Sequence, residues 1–310
     1  MSIKGKDILT LTDLTKEDID YILKQAERCE KVIESGKSDL LKGKILATLF
    51  FEPSTRTRLS FESAMLRLGG SVIGFSDTAG TSVKKGENLA DTIRTVEQYC
   101  DVIAMRHPVE GSAKHAADVS KVPILNGGDG PHAHPTQTLL DLYTMIREKG
   151  KIKGLKVAIT GDLKYGRTAH SLSAALAMLG ADMVFASPKE LKMPRDFTIS
   201  LKHKFEVEIE EKESLSDVVG DVDVLYVTRI QKERFPAPEE YERVKSEHKV
   251  DIELLEKAKE GMIVMHPLPR VYEIDSEVDN TKFARYFQQA YYGVPVRMAL
   301  LAGVLGVEVK

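Results

Sequence analysis

A short apolar run, Lys44-Ile45-Leu46-Ala47-Thr48-Leu49-Phe50, leads into Phe51-Glu52-Pro53-Ser54-Thr55-Arg56-Thr57-Arg58. Beyond that turn, Phe61, Ala64, Met65 and Leu68 recur at helical spacing until Gly69-Gly70 stops them. The order is strand, polar turn, helix, and the chain keeps returning to it. Strands are expected at 44–51, 71–75, 101–105, 122–125, 155–159, 183–186, 222–227 and 262–265. Helices are expected after Thr15, after Arg56, up to Val96, and over 135–149, 170–179 and 295–305. The first is marked by a capping pattern, Thr15 with Asp18, ahead of Ile19, Ile22, Leu23, Ala26 and Ile33 in helical phase. Adjacent strands joined by helices must run parallel, so the pattern implies an α/β fold of parallel sheets with helices on both faces.

At 310 residues the chain is long for one core, and two lobes are expected. The first comprises 1–133 plus 293–310, with the last helix packing back on it, and the second comprises 134–292. Lys and Arg number 44 against 47 Asp and Glu, a net charge of −3. No overall basic field suits a nucleic acid, so any anion site must gather its positive charge locally. The longest uncharged apolar run, 298–307, is too short to span a bilayer. The start, Met1-Ser2-Ile3-Lys4, lacks a signal-like apolar segment, and a cytoplasmic protein is expected. Cys29 and Cys100 both fall in helical patterns and read as small hydrophobes.

In parallel sheets ligands bind beyond the carboxyl ends of the strands. Five polar clusters of this chain fall there: Ser54–Thr57, Arg106-His107, 162–167, 228–231 and 266–269. A single cleft between two lobes would gather them. The turn at Ser54–Thr57 offers hydroxyls, a planar guanidinium and a helix N-terminus, which together suit a phosphate. Arg56, Lys85, Arg106, Arg167 and Arg229 would repel one another unless anions lie between them, so polyanionic substrates are expected. Gly127-Gly128-Asp129-Gly130-Pro131-His132-Ala133-His134-Pro135-Thr136-Gln137 reads as a glycine-rich loop opening a helix. There His134 suits a carbonyl to polarise and Gln137 an amide to recognise. His132 and His134 lack a third ligand, so no metal is expected.

Two nucleotide motifs fail. Gly36-Lys37-Ser38 follows a helix, and position 31 is Lys where a Walker loop needs Gly. Gly161-Asp162-Leu163-Lys164-Tyr165-Gly166-Arg167 lacks the middle glycine of a dinucleotide fingerprint and puts an arginine at the turn. No cofactor is expected.

Together Ser54-Thr55-Arg56-Thr57-Arg58, Met105-Arg106-His107-Pro108, His134-Pro135-Thr136-Gln137 and His266-Pro267-Leu268-Pro269 resemble the carbamoyltransferase family. The segments 161–168 and 228–234 are similar to its aspartate branch. The ornithine branch has a cysteine in its His-Cys-Leu-Pro motif, where this chain has Pro267. The resemblance implies transfer of the carbamoyl group of carbamoyl phosphate to L-aspartate, giving N-carbamoyl-L-aspartate and phosphate in the committed step of pyrimidine synthesis. Ser54, Thr55, Arg56, Thr57 and Arg106 would hold the phosphate. Thr57, Arg106 and His134 would face the carbonyl oxygen, and Arg56 stands with them as a catalytic residue. Gln137 and the carbonyls of Pro267 and Leu268 would accept from the carbamoyl NH2. Arg167, Arg229 and Gln231 would clamp the aspartate carboxylates, and Glu52 would meet Arg167 and Arg234 as the lobes close. The family forms a homotrimer with shared active sites, Ser82 and Lys85 coming from a neighbouring chain; Lys85 is preferred over Lys84 for that role. A dodecamer with separate regulatory chains is compatible with the same resemblance. Another amine acceptor such as ornithine, and a catalytically idle scaffold on the same fold, are the competing readings.

Overall fold

The computed structural model describes residues 3–36, 38–230, 239, 241–242, 245 and 248–310. The chain forms two compact units, one of residues 1–143 with 290–310 and one of residues 144–289. This division places 290–292 and the stretch 134–143 with the first unit. Contacts made by His134 and Thr136, described below, hold that stretch to the first unit.

The first unit is built on a four-stranded sheet in the order β2-β1-β3-β4. Its strands are β1 (Ile45–Phe50), β2 (Ser71–Phe75), β3 (Val102–His107) and β4 (Ile124–Asp129), all parallel. Helices α1 (Lys16–Ser35), α2 (Thr55–Arg67), α3 (Leu89–Val96) and α4 (Ser112–Val119) connect them or lead into them. Thr15 caps α1 as its spacing with Asp18 implies, each side chain bonded to the other's backbone N–H. Ala47, Leu49, Ile103, Met105 and Ile124 are buried in one hydrophobic cluster with Ile93 of α3 and Ala113 and Ala116 of α4. Cys29 is buried in α1, where burial pushes its thiol up to about 12. Cys100 lies in the turn after α3, outside the helix expected to hold it.

Helix α5 (Pro135–Lys149) carries the chain into the second unit. There β5 (Lys156–Thr160), β6 (Asp182–Ala186), β7 (Ile209–Lys212), β8 (Val224–Val227) and β9 (Ile263–Met265) form a parallel sheet in the order β7-β6-β5-β8-β9. Helices α6 (Arg167–Met178), α7 (Arg195–Phe205) and α8 (Ile252–Glu256) belong to this unit. Its core gathers Ala158, Val184, Leu225, Val264 and Tyr286. At the amino ends of the strands, Lys156 pairs with Glu210 and Asp221 at 2.7 and 2.6 Å, and Lys259 pairs with Asp223 at 2.7 Å.

The last helix, α9, runs Tyr286–Val304, nine residues further back than a start at Pro295. Proline removes one N–H from the helical ladder, but a helix buried along Val296, Met298, Leu300 and Leu301 tolerates that single loss. Its end is tied to α1: Arg28 reaches the Val309 carbonyl at 2.9 Å, and the Val309 N–H donates to Gln25 at 2.8 Å. Among the described residues no helix is long and apolar enough to cross a membrane.

Candidate active site

Each sheet carries its polar clusters at the carboxyl ends of its strands. In the first unit, β1 ends at Phe50 and Ser54 is the N-cap of α2. Ser54 has the extended backbone of a cap, yet its hydroxyl makes no capping hydrogen bond, and the first turn holds no acidic residue. An ordinary serine cap would spend its oxygen on the backbone N–H two or three residues on. This helix end therefore presents both its N–H groups and its hydroxyl, an arrangement suited to an anion. Thr57 is buried, Ser54 is half-buried, and Thr55 and Arg56 are exposed. Gly127 lets β4 approach this turn, since a Cβ there would lie 3.2 Å from the Thr57 methyl.

Arg106 pairs in register with Phe50 at the neighbouring strand end, from β3. Burial and then the Arg106 charge push the Arg56 guanidinium below its ordinary range. Arg106 Nη1 donates to the Gly127 carbonyl at 3.3 Å. Its Nε lies 2.9 Å from Glu52 Oε2, a close ion pair off the hydrogen-bond axis that leaves both atoms without a well-aligned partner. The Glu52 carboxylate is thus engaged by Arg106 in this structure, within its own unit.

His134 is buried immediately before α5, with Nε2 3.4 Å from Thr57 Oγ1. Gln137, one turn on, donates through Nε2 to Asp141 Oδ1 at 2.8 Å. The glycines 127 and 128 lie inside β4, so the expected loop is a strand end followed by a tight turn. His132 does have a carboxylate partner, Asp129 at 3.1 Å, which also accepts from the Ala133 N–H. That pair braces the turn, and no cluster of three metal-ligating side chains occurs among the described residues. His107 is likewise structural: its Nδ1 accepts from the Val109 N–H at 3.0 Å and meets Ser112 Oγ at 2.8 Å. Ser82 and Lys85 lie exposed on a 3-10 turn over Ser82–Lys85, as does Lys84.

In the second unit, β5, β8 and β9 are adjacent, and each delivers one cluster. After β5, Gly161 lies at φ 109°, and only glycine fits there, since a Cβ would fall 2.2 Å from the Thr228 carbonyl oxygen. The chain then turns at Asp162, whose Oδ1 accepts from the Tyr165 N–H at 3.0 Å. Half-buried Arg167 opens α6, whose N-cap, Gly166, has no side chain to fill the helix end. Arg229 is exposed just beyond β8, where Thr228 Oγ1 donates to the Thr160 carbonyl at 2.8 Å. Gln231 and Arg234 lie outside the described residues.

Beyond β9, Pro267 and Leu268 are set by a buried scaffold. The His266 N–H donates to Gln289 Oε1 at 2.8 Å, and the Leu268 N–H donates to His266 Nδ1 at 2.8 Å. Leu268 sits at φ 56°, a left-handed conformation that costs a branched residue about 1–2 kcal/mol. The scaffold offsets that cost and aims the carbonyls on either side. Glu273 backs it, 3.8 Å from His266 Nε2. Burial raises its carboxyl, but His266 and the backbone N–H groups of residues 271–273 outweigh that and hold it at about 2. Gln289 and Glu273 carry no motif of their own, and only their burial marks them.

Two parallel α/β units, one with an uncapped helix N-terminus and the other with arginines beyond adjacent strand ends, define a two-unit α/β class whose polar strand ends suit anionic ligands. Residues 6–147 match the model of the aspartate/ornithine carbamoyltransferase carbamoyl-P binding domain, and residues 153–304 match that of the Asp/Orn binding domain. The chain belongs to the aspartate/ornithine carbamoyltransferase family. It is 58% identical over 308 residues to the aspartate carbamoyltransferase catalytic subunit of Thermococcus kodakarensis, covering 99% of each chain. The solved catalytic subunit of M. jannaschii aspartate transcarbamoylase is 54% identical, with a TM-score of 0.93 over 97% of this chain and 98% of that one. Trypanosoma cruzi aspartate transcarbamoylase in complex with carbamoyl phosphate and aspartate is 41% identical, with a TM-score of 0.92 over 98% and 96%.

Proposed function

We infer that this protein is an enzyme transferring the carbamoyl group of carbamoyl phosphate to the amino group of L-aspartate, in the committed step of pyrimidine synthesis. The observation that carries the reading is the α2 N-terminus, where Ser54 leaves its hydroxyl unspent beside Arg56 and Arg106. Phosphate oxygens seated there would relieve the repulsion between the two guanidiniums and take up the helix N–H groups. Thr57, Arg106 and His134 then stabilise the carbonyl oxygen as the amine attacks the carbamoyl carbon. A C–N bond forms, the C–O bond to phosphate breaks, and the departing phosphate takes the amine proton. Gln137 and the carbonyls of Pro267 and Leu268 accept from the carbamoyl NH2, while Arg167, Arg229 and Gln231 hold the aspartate carboxylates.

The same proposal includes release of Glu52 from Arg106 once phosphate claims that guanidinium. It also includes a cytoplasmic homotrimer in which Ser82 and Lys85 complete a neighbour's site; exposure of that turn supports this. Regulatory chains assembling with the trimer into a dodecamer belong to the proposal as well. The test is an acceptor screen with carbamoyl phosphate, running aspartate beside ornithine. Carbamoyl aspartate as the dominant product is expected, and turnover of ornithine alone would refute the assignment. Light scattering of the purified chain reads the trimer.

A further inference from the structure

Behind the face of the first unit that holds His134 and Gln137 lies a buried arginine with no part in the reading so far. Arg297, on α9, is 3% exposed, and its guanidinium lies over the Phe61 ring at 5.0 Å. Nη1 donates to the Gly293 carbonyl at 3.2 Å, and Nη2 donates to Thr136 Oγ1 at 3.1 Å. Gly293 makes the room, since a Cβ there would fall 2.4 Å from Nη1. Burial pushes the guanidinium down to about 10, with the buried Asp141 pulling the other way, so it remains charged at neutral pH. A buried charge is weak evidence for stability, because an apolar side chain of similar volume often does as well. What Arg297 adds is direction.

A guanidinium only donates, so Thr136 Oγ1 accepts from it and keeps its own proton for another acceptor within reach. His134 Nδ1 lies 3.4 Å from that oxygen. With Nδ1 accepting, the neutral ring carries its proton on Nε2, the nitrogen that faces Thr57. The second arm obeys the same logic. The Asp141 carboxylate only accepts, so Gln137 turns its NH2 toward it and keeps Oε1 for the opposite side. We propose that Arg297 is a positioning residue that, through Thr136, presents His134 as an Nε2–H donor to the carbamoyl group, beside a Gln137 that Asp141 turns to present Oε1. The identity of that group rests on the carbamoyl-transfer reading, whereas the polarity of the two side chains does not.

Nitrogen-15 NMR of the unliganded, histidine-labelled full-length protein reads the His134 tautomer directly, with His134→Asn assigning the signal. The wild type should carry the proton on Nε2. Thr136→Val, which keeps the side-chain volume, should mix the tautomers and lower kcat on the order of tenfold to a hundredfold, with little change in the KM for aspartate. Arg297→Met should do the same, and Arg297→Lys should restore part of the loss. Should Arg297→Met fail to fold, Thr136→Val alone decides. A proton on Nδ1 in the wild type, or an unchanged tautomer in Thr136→Val, overturns the proposal. A tautomer that shifts while carbamoyl transfer keeps its rate would uphold the positioning and remove His134 from the chemistry.

Discussion

The two units present their polar residues in opposite ways. In the first, the groups assigned to phosphate and carbonyl are engaged with one another: Arg106 with Glu52, His134 with Thr57, and Gln137 with Asp141. In the second, the strand-end segments are braced from behind. His266 is fixed by Gln289 and Glu273, and Arg270 is held in a bidentate pair with Asp279 beside Tyr286. The contrast separates two strategies. The first surface pairs its polar groups among themselves, whereas the described strand ends of the second are held by side chains behind them. Disturbing the pairs of the first should change binding and rate, and disturbing the braces behind the second should change stability.

The hardest test of this contrast is Arg56→Ala. Removing the planar donor from the α2 turn should cut carbamoyl aspartate formation on the order of a thousandfold while leaving the thermal midpoint nearly unchanged. Near-normal rates would remove the phosphate role. On the other side, Glu273→Gln should destabilise the protein by roughly 3 kcal/mol at pH 7, from a carboxyl held at about 2 against an ordinary 4.5. The sign follows from the lowered value: the contribution is complete above about 4.5 and is lost as pH falls toward 2. Urea midpoints of the variant and wild type should therefore converge across that window, and parallel curves would contradict the assignment.

Glu52→Ala probes the displaceable pair. It should raise the aspartate requirement about tenfold and leave that for carbamoyl phosphate level or lower, because Arg106 is then released. Equal losses for both substrates would dismiss the exchange of partners. The smallest effect is expected at the far end of the second sheet. Lys156→Ala breaks pairs with Glu210 and Asp221 that are largely solvent-facing, so the loss should be about 1 kcal/mol or less and should shrink with added salt. A larger, salt-independent loss would show that the surface network holds the sheet together.

Much of this was legible in the residues. Thr15 and Asp18 announced α1, and the apolar runs announced eight of the nine strands among the described residues, since hydrophobic period and capping are local properties. The strand missed, β7, reads Ile209-Glu210-Glu211-Lys212 and carries charges because it is the edge of its sheet. Helices α4, α7 and α8 were missed as well, being short or rich in charge, and α9 extends back past Pro295 because burial outweighs one lost N–H.

The sequence by itself determined the βα alternation, the turn chemistry around Ser54–Thr57 and the family motifs, because each is carried by residues within a few positions of one another. Tertiary structure decided which of those groups have partners. Asp129 answers His132 across a turn, and Glu52 answers Arg106 across two strands. Arg297 lies 161 positions from Thr136, yet donates to it at 3.1 Å. A buried charge takes whatever counter-group the fold brings within reach, and the fold's reach is not written in local spacing.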